Sequence, residues 1–430
     1  MIVQRVQSSP RKRQHRRGSA YVAVVGAATL AATLAVAAAR VTRVEARSEN
    51  ASADATDAQT ACTSAIEWMR YRINSDPNWR ANAGSDGAWT AAINIGAAAV
   101  SVVVTDPADN DLANDPHQGV TITATATRGA AKQALRVRLD AVPVPIDAIG
   151  RAMHVGGQLR VRGGKKLNAG NATISTNGSL YNEGTIVGNV IAGLSLFTGT
   201  IQGETAIPTL MPTPMPDANV AAMYTQIGTA ISAGSSIDKR ALGPGYNPWG
   251  AANADGVYIW NGGSNDLVLK DSRIVGTLVV TLAAGKKLSI ENDISMMPGR
   301  PDFPALIVIG GEVLIKHEAG TFAESGIGVN LNPTGVPSAD GSTDSDQTDS
   351  YTSEIQGLVH VKGSIRFEKD GPVRGAVICE STATSAAVDV TESMSITYMP
   401  SLFTTPLRGY TKRVDMVLQR GSWERVVEEE

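Results

Sequence analysis

The sequence predicts an α+β, mainly β, protein with three successive parts. A long N-terminal helix, transmembrane at first and amphipathic afterwards, leads into a small antiparallel β-layer and then a Gly/Asn-rich domain of the parallel β-helix kind. Three observations predict this. Ala20 to Ala39 runs twenty residues without a charge. From residue 27 to 76 neither Gly nor Pro interrupts the chain, while apolar residues recur at three- and four-residue steps. From Val142 onward helix-period stretches nearly vanish, and short apolar runs are punctuated by Gly and Asn.

The first element opens with a basic cluster, Arg11, Lys12, Arg13, His15, Arg16 and Arg17, followed by Gly18 and Ser19. Twenty helical residues span about 30 Å, enough for a bilayer's hydrocarbon core. The basic flank keeps the N-terminus in the cytoplasm and exports the chain beyond residue 43, as in a single-pass inner-membrane protein. Ten of the twenty residues are Ala, and Leu30 and Leu34 are the only leucines. Leu and Val each favour insertion by roughly a few tenths of a kcal/mol, whereas Ala and Thr contribute little. The anchor is therefore weakly held, and its small residues let helices approach closely. The expected packing face comprises Tyr21, Val22, Val25, Gly26, Thr29, Leu30, Thr33 and Leu34. Two other interpretations compete: a plain uncleaved anchor, and a signal peptide cut after Ala37-Ala38-Ala39.

The run Arg16-Arg17-Gly18-Ser19-Ala20-Tyr21-Val22 resembles the leader junction of type IV pilin-like proteins. The resemblance covers roughly residues 11 to 80. It implies a leader of residues 1–18 and a cut between Gly18 and Ser19 by a prepilin peptidase, which can also methylate the new N-terminus. It further implies a helix of residues 19–39 that assembles with other pilin-like subunits in a type IV pilus or secretion pseudopilus. Major pilins carry Glu five residues after the cut, where this chain has Ala23. That departure points to a minor or atypical subunit of the PilX-like or pseudopilin kind. The stretch Ala65-Ile66-Glu67-Trp68 through Asp76-Pro77-Asn78-Trp79-Arg80 also looks like the distal helix of PilX-like proteins.

The helix is expected to continue as an amphipathic extension over residues 40–80. Val41, Val44, Ala51, Ala55, Ala58, Cys62, Ala65, Ile66, Met69 and Ile73 recur on one side, and Asp76-Pro77 is the expected stop. Residues 81–142 read as the small β domain. Its strands are expected at Ala97–Thr105, at Val120–Thr127 and around Leu135, Val137 and Leu139, where apolar and polar residues alternate. Between the first two lies an acidic loop whose Asp106, Asp109, Asp111 and Asp115 offer hard oxygen ligands for Ca²⁺. Its spacing is not that of an EF-hand, and a solvated acidic turn is the competing interpretation.

Val142-Pro143-Val144-Pro145 reads as a linker into the β-helix-like domain, residues 143–400. Short strands with corner Gly and Asn suit stacked coils, because both residues tolerate left-handed backbone. A jelly roll or other sandwich is the alternative. Gly164-Lys165-Lys166-Leu167 echoes Gly285-Lys286-Lys287-Leu288, each followed by an Asn after three intervening residues. Insertions are expected near 205–256, where four prolines precede a short helix at Asn219–Ile231, and near 330–354, a polar stretch read as a mobile loop. Tyr246, Trp249, Tyr258 and Trp260 read as core or a loop plug. Residues 401–430 read as a tail.

Function classes narrow accordingly. A net charge of −3 provides no basic field for nucleic acid. Five His and two Cys, Cys62 and Cys379, form no ligand or redox spacing, and no catalytic motif is present. The expectation is a non-enzymatic, pilin-like subunit with no cofactor beyond the candidate Ca²⁺ site, displaying its β-rich domain outward. The alternatives are an anchored β-helix that binds or degrades an envelope or surface glycan, and a self-polymerising β-helix scaffold.

Overall fold

The computed structural model describes residues 16–76, 78–83, 87–113, 115, 117–209, 211–338 and 340–426, with the side chains of residues 16–19 and Phe197 outside that description. The leader residues 1–15 lie outside it too. The chain forms two compact units, one holding the N-terminal part to Val142 together with the segment from Asp415, the other Pro143–Val414.

The first unit is built on α1 (Arg16–Ser75), 60 residues of unbroken helix and about 90 Å long. The absence of Gly and Pro after residue 26 lets it run, and the short α2 (Trp79–Ala83) comes next. The sheet is an antiparallel meander of β1 (Ala88–Ile95), β2 (Ala98–Thr105), β3 (Val120–Arg128) and β4 (Ala131–Pro145). Strict alternation gives it one apolar face. Val100, Val102, Val104, Val120, Ile122, Ala124, Val137 and Leu139 are buried, as are Ala58, Ala61, Cys62, Ala65, Ile66, Met69 and Ile73 of α1. Each large side chain so covered contributes about 1.5–3 kcal/mol. Small residues at 58, 61 and 65 bring the helix close to the sheet, so the Cys62 thiol donates to the Ala124 carbonyl at 3.3 Å.

Several expectations are corrected here. β1 is an addition to the expected strands; Ala, Asn and Thr fill much of it in place of strong strand formers. The division between the units falls between Val142 and Pro143, within the expected linker, and those residues are the last of β4. The 401–430 segment is more than a tail, since Thr411–Leu418 and Glu424–Arg425 both pair with β4. Asn74 of α1 secures this return, donating to Met416 O at 3.1 Å and accepting from Met416 N at 2.8 Å.

The second unit is a stack of parallel strands in three ladders, 21 strands in one sheet. The pairing is parallel throughout except where Gly320–Ala323 meets the start of Ser350–Val361, which excludes the sandwich alternative. The order of coils is not the order of sequence. The chain enters the stack in its middle, where Met153–Val155 pairs with Val373–Cys379. It winds outward through Lys166–Asn182 and Thr185–Phe197 to Thr205–Ala206. It then crosses back through residues 207–219 and α3 (Val220–Ile227), and restarts at Thr229–Ala230 at the opposite end. The 205–256 region therefore contains a coil of the stack as well as an insertion.

Alternate residues of each strand point inward to one continuous core that includes Tyr258, Trp260, Leu278, Val280, Leu306, Val308, Val359 and Val377. One ladder is also covered on its outer side. Val257, Val279, Ile307, Leu358, Ala376 and Ile378 pack beneath α3 and the 402–410 segment. Burial on both sides explains why these strands read as unbroken apolar runs. His360 ties the cover down: Nδ1 lies 2.8 Å from the Tyr410 hydroxyl and Nε2 2.7 Å from Glu380 Oε1. Close corners demand glycine. A Cβ on Gly178 would sit 2.6 Å from the Gly157 carbonyl of the neighbouring coil. The Gly-Lys-Lys-Leu echo shares turn chemistry, with Gly164 and Gly285 both at positive φ, but Leu167 and Leu288 lie in different ladders.

Candidate functional site

The first half of α1 stands apart from everything else in its unit. Residues 20–53 are exposed except for half-buried Gly26, and the helix meets the sheet only from about Ala58 onward. Tyr21 is 72% exposed, Leu30 64% and Leu34 68%. The expected packing residues Tyr21, Val22, Val25, Gly26, Thr29, Leu30, Thr33 and Leu34 all lie in this stretch, in two adjacent rows four residues apart. Gly18 and Ser19 fall in its first turns. Val41 and Val44, predicted to belong to the buried stripe, are bare as well. The stripe is a continuous sequence pattern, but only its C-terminal half, from Ala58 to Ile73, is buried.

The polar atoms of the apolar stretch are satisfied within the helix. Thr29 Oγ1 donates to the Val25 and Gly26 carbonyls at 3.0 and 2.9 Å, and Thr33 Oγ1 to Leu30 O at 2.8 Å. In hydrocarbon an unsatisfied hydroxyl costs roughly several kcal/mol, and these internal bonds remove that penalty. Among the described residues one helix is long and apolar enough to cross a membrane, with a mean hydropathy of 2.2 in its best window, none of it buried.

Below the bare segment the surface becomes ionic and aromatic. Arg128 reaches Asp54 and Asp57 of α1 at 3.4 and 3.7 Å. Arg72 stacks on Trp68 and Trp89, and Trp89 stacks on Trp79.

The acidic loop is not organised as a Ca²⁺ site. Asp106, Asp109, Asp111 and Asp115 each accept the backbone N–H two residues on, at 2.8 to 3.0 Å, so each closes its own turn. Asp106 is buried, with Arg80 4.0 Å away. No group of three or more acidic, His or Cys side chains with metal-binding geometry occurs among the described residues.

His154, His317 and His360 are buried within the second unit. His154 and His317 are fully buried, and burial pulls each ring down to about 4, aided for His154 by the positive charge of Arg151. His154 Nδ1 is 2.7 Å from Ser175 Oγ. The two thiols are free and buried, and burial pushes Cys379 up to about 12. Tyr258 and Trp260 belong to the solenoid core, Trp249 packs against it, and Tyr246 is 37% exposed.

The 330–354 stretch is pinned, which corrects its assignment as a mobile loop. Arg273 projects from the stack and donates to the Leu331, Val336 and Pro337 carbonyls at 3.1, 3.0 and 2.6 Å, with its guanidinium over Tyr351. Glu324 is buried beside it and accepts from Leu331 N and Tyr351 Oη. A lone Arg inside the run Asp271-Ser272-Arg273-Ile274-Val275 was the available signal.

No family model matches the sequence, and no curated protein matches it. Among solved structures the chain matches a competence-associated pilin, ComZ, from Thermus thermophilus. That match has a TM-score of 0.35 and 13% identity, and covers 87% of this chain and 98% of the other. A second match is the DUF3494 domain of an ice-binding protein from Shewanella frigidimarina, with a TM-score of 0.23 and 10% identity, covering 59% of this chain and 95% of the other. At these scores neither likeness assigns a function.

Proposed function

We propose that the chain is a non-enzymatic, membrane-inserted, pilin-like subunit. It is cut between Gly18 and Ser19 by a prepilin-type peptidase and assembled through the first half of α1 into a type IV pilus or pseudopilus, with its β-rich domain displayed outward. The observation that carries this reading is the bare helix. About 34 residues of regular helix, apolar over their first twenty, are left uncovered by the other described residues, whereas the apolar strands of the second unit are buried. A membrane covers residues 20–39 but leaves Val41 and Val44 exposed, whereas neighbouring helices of other subunits would cover both stretches. The Ala-rich composition supports a helix that can leave the bilayer, since its insertion energy is small.

Deleting Arg16 to Gly18 separates this reading from an uncleaved anchor. Surface filaments sheared from cells should contain the intact protein and lose the deletion variant. Equal presence of both in the membrane fraction, with none in filaments, would favour the anchor.

A further inference from the structure

The bare helix changes character just beyond its apolar stretch. Between residues 40 and 49 it carries Arg40, Arg43, Glu45, Arg47 and Glu49, all of them exposed. Among the described residues none of these has an ionic partner. The ion pairs of α1 begin lower down, where Asp54 and Asp57 meet Arg128 and Glu67 meets Arg70.

Their placement differs from that of a helix built only to face solvent. Such a helix sets opposite signs three or four residues apart, where side chains meet. Here those spacings hold like charges only: Arg40 with Arg43, Arg43 with Arg47, and Glu45 with Glu49. Like charges at these steps repel one another within a single helix. With 3.6 residues per turn, the arginines centre on one side of α1 and the glutamates about 170° away, on the opposite side. Over about 14 Å of its length the helix therefore has a basic face and an acidic face.

We infer that these faces are the two halves of one interface: the basic face of α1 docks on the acidic face of α1 in a second copy, the two helices side by side and parallel. A parallel neighbour reached by translation meets the first helix with its opposite side, so faces half a turn apart come together. Two residues separate Arg43 from Glu45 and Arg47 from Glu49, an axial step of about 3 Å that the side chains span. A two-fold pair made through either face would set like charge against like. An antiparallel pair would point the apolar segments out of a common membrane in opposite directions. The contact is head-to-tail, so each copy keeps one face free for a third. This inference rests on the assembly reading of α1 and adds the partner, a second copy, and the charges that set its orientation.

The test is self-association of the full chain in phosphatidylcholine vesicles, read as energy transfer between donor- and acceptor-labelled copies. The double variants E45R/E49R and R43E/R47E should each associate on the order of tenfold more weakly, because every contact then sets like charges together. Mixed with each other, the two should associate at least as well as the natural chain. The fourfold swap, R43E/R47E/E45R/E49R, should restore association within one chain. Raising salt from about 0.05 to about 0.5 M should weaken association of the natural chain, since the charges are exposed. Absence of association in the natural chain, double variants that associate equally well, or a mixture no better than its components would overturn the inference. Association that follows the charges in a chain missing from sheared filaments would uphold the interface and overturn the assembly reading.

Discussion

Residues 20–39 of α1 and the strands of the covered solenoid ladder are both long apolar runs, yet they meet opposite environments. Leu278-Val279-Val280 and Leu306-Ile307-Val308 are buried on both sides, inward by the core and outward by α3 and its neighbours. Tyr21, Leu30 and Leu34 are covered by none of the other described residues. An apolar surface left bare beside another so fully covered suits contact with a surface outside the molecule, as the proposed function requires. The two regions should therefore respond differently to substitution.

The largest effect belongs to the core. Ile290→Ala, at a fully buried inward position, should cost about 2–5 kcal/mol in urea unfolding of the second unit and leave membrane association unchanged. Leu30→Asp should do the reverse. It penalises insertion by about 2.5–3.5 kcal/mol and should shift the protein out of the membrane fraction without altering the unfolding transition. If Leu30→Asp unfolds the solenoid, the separation between the two regions fails. Arg273→Met should cost about 1–3 kcal/mol by leaving three carbonyls unpaired, and should open residues 330–349 to limited proteolysis.

Acid should also divide the regions. His154 and His317 are held near 4, below the usual 6.5. Above 6.5 both states are neutral and stability is flat. Below it the unfolded chain takes protons that the folded solenoid refuses, so stability falls as pH drops from 6.5 to 4, by about 1.4 kcal/mol per pH unit per histidine. His317→Leu should halve that slope. A slope unchanged by the substitution would place the acid sensitivity elsewhere. The bare helix carries no such group and its membrane association should not track the slope.

Legibility in the sequence depends on the distance over which each contact forms. The long helix could be read because its period is local and no breaker interrupts it. The strands β2 to β4 and the coil style of the second unit were equally local. The closing strands Thr411–Leu418 and Glu424–Arg425 were missed because their partner, β4, lies far away in the chain. The break in coil order was missed for the same reason: nothing near Met153 announces that Val377 will sit beside it. The acidic loop left two readings open, because spacing alone cannot tell four ligands from four turns; the side chains close turns.

Whether α1 is processed for assembly is decided by the intact mass and N-terminal sequence of the protein recovered from membranes. Processing predicts a chain beginning at Ser19, with or without a methyl group. A chain beginning at Met1 would contradict it in favour of a permanent anchor, and one beginning near Arg40 would mean that the apolar helix is discarded on export.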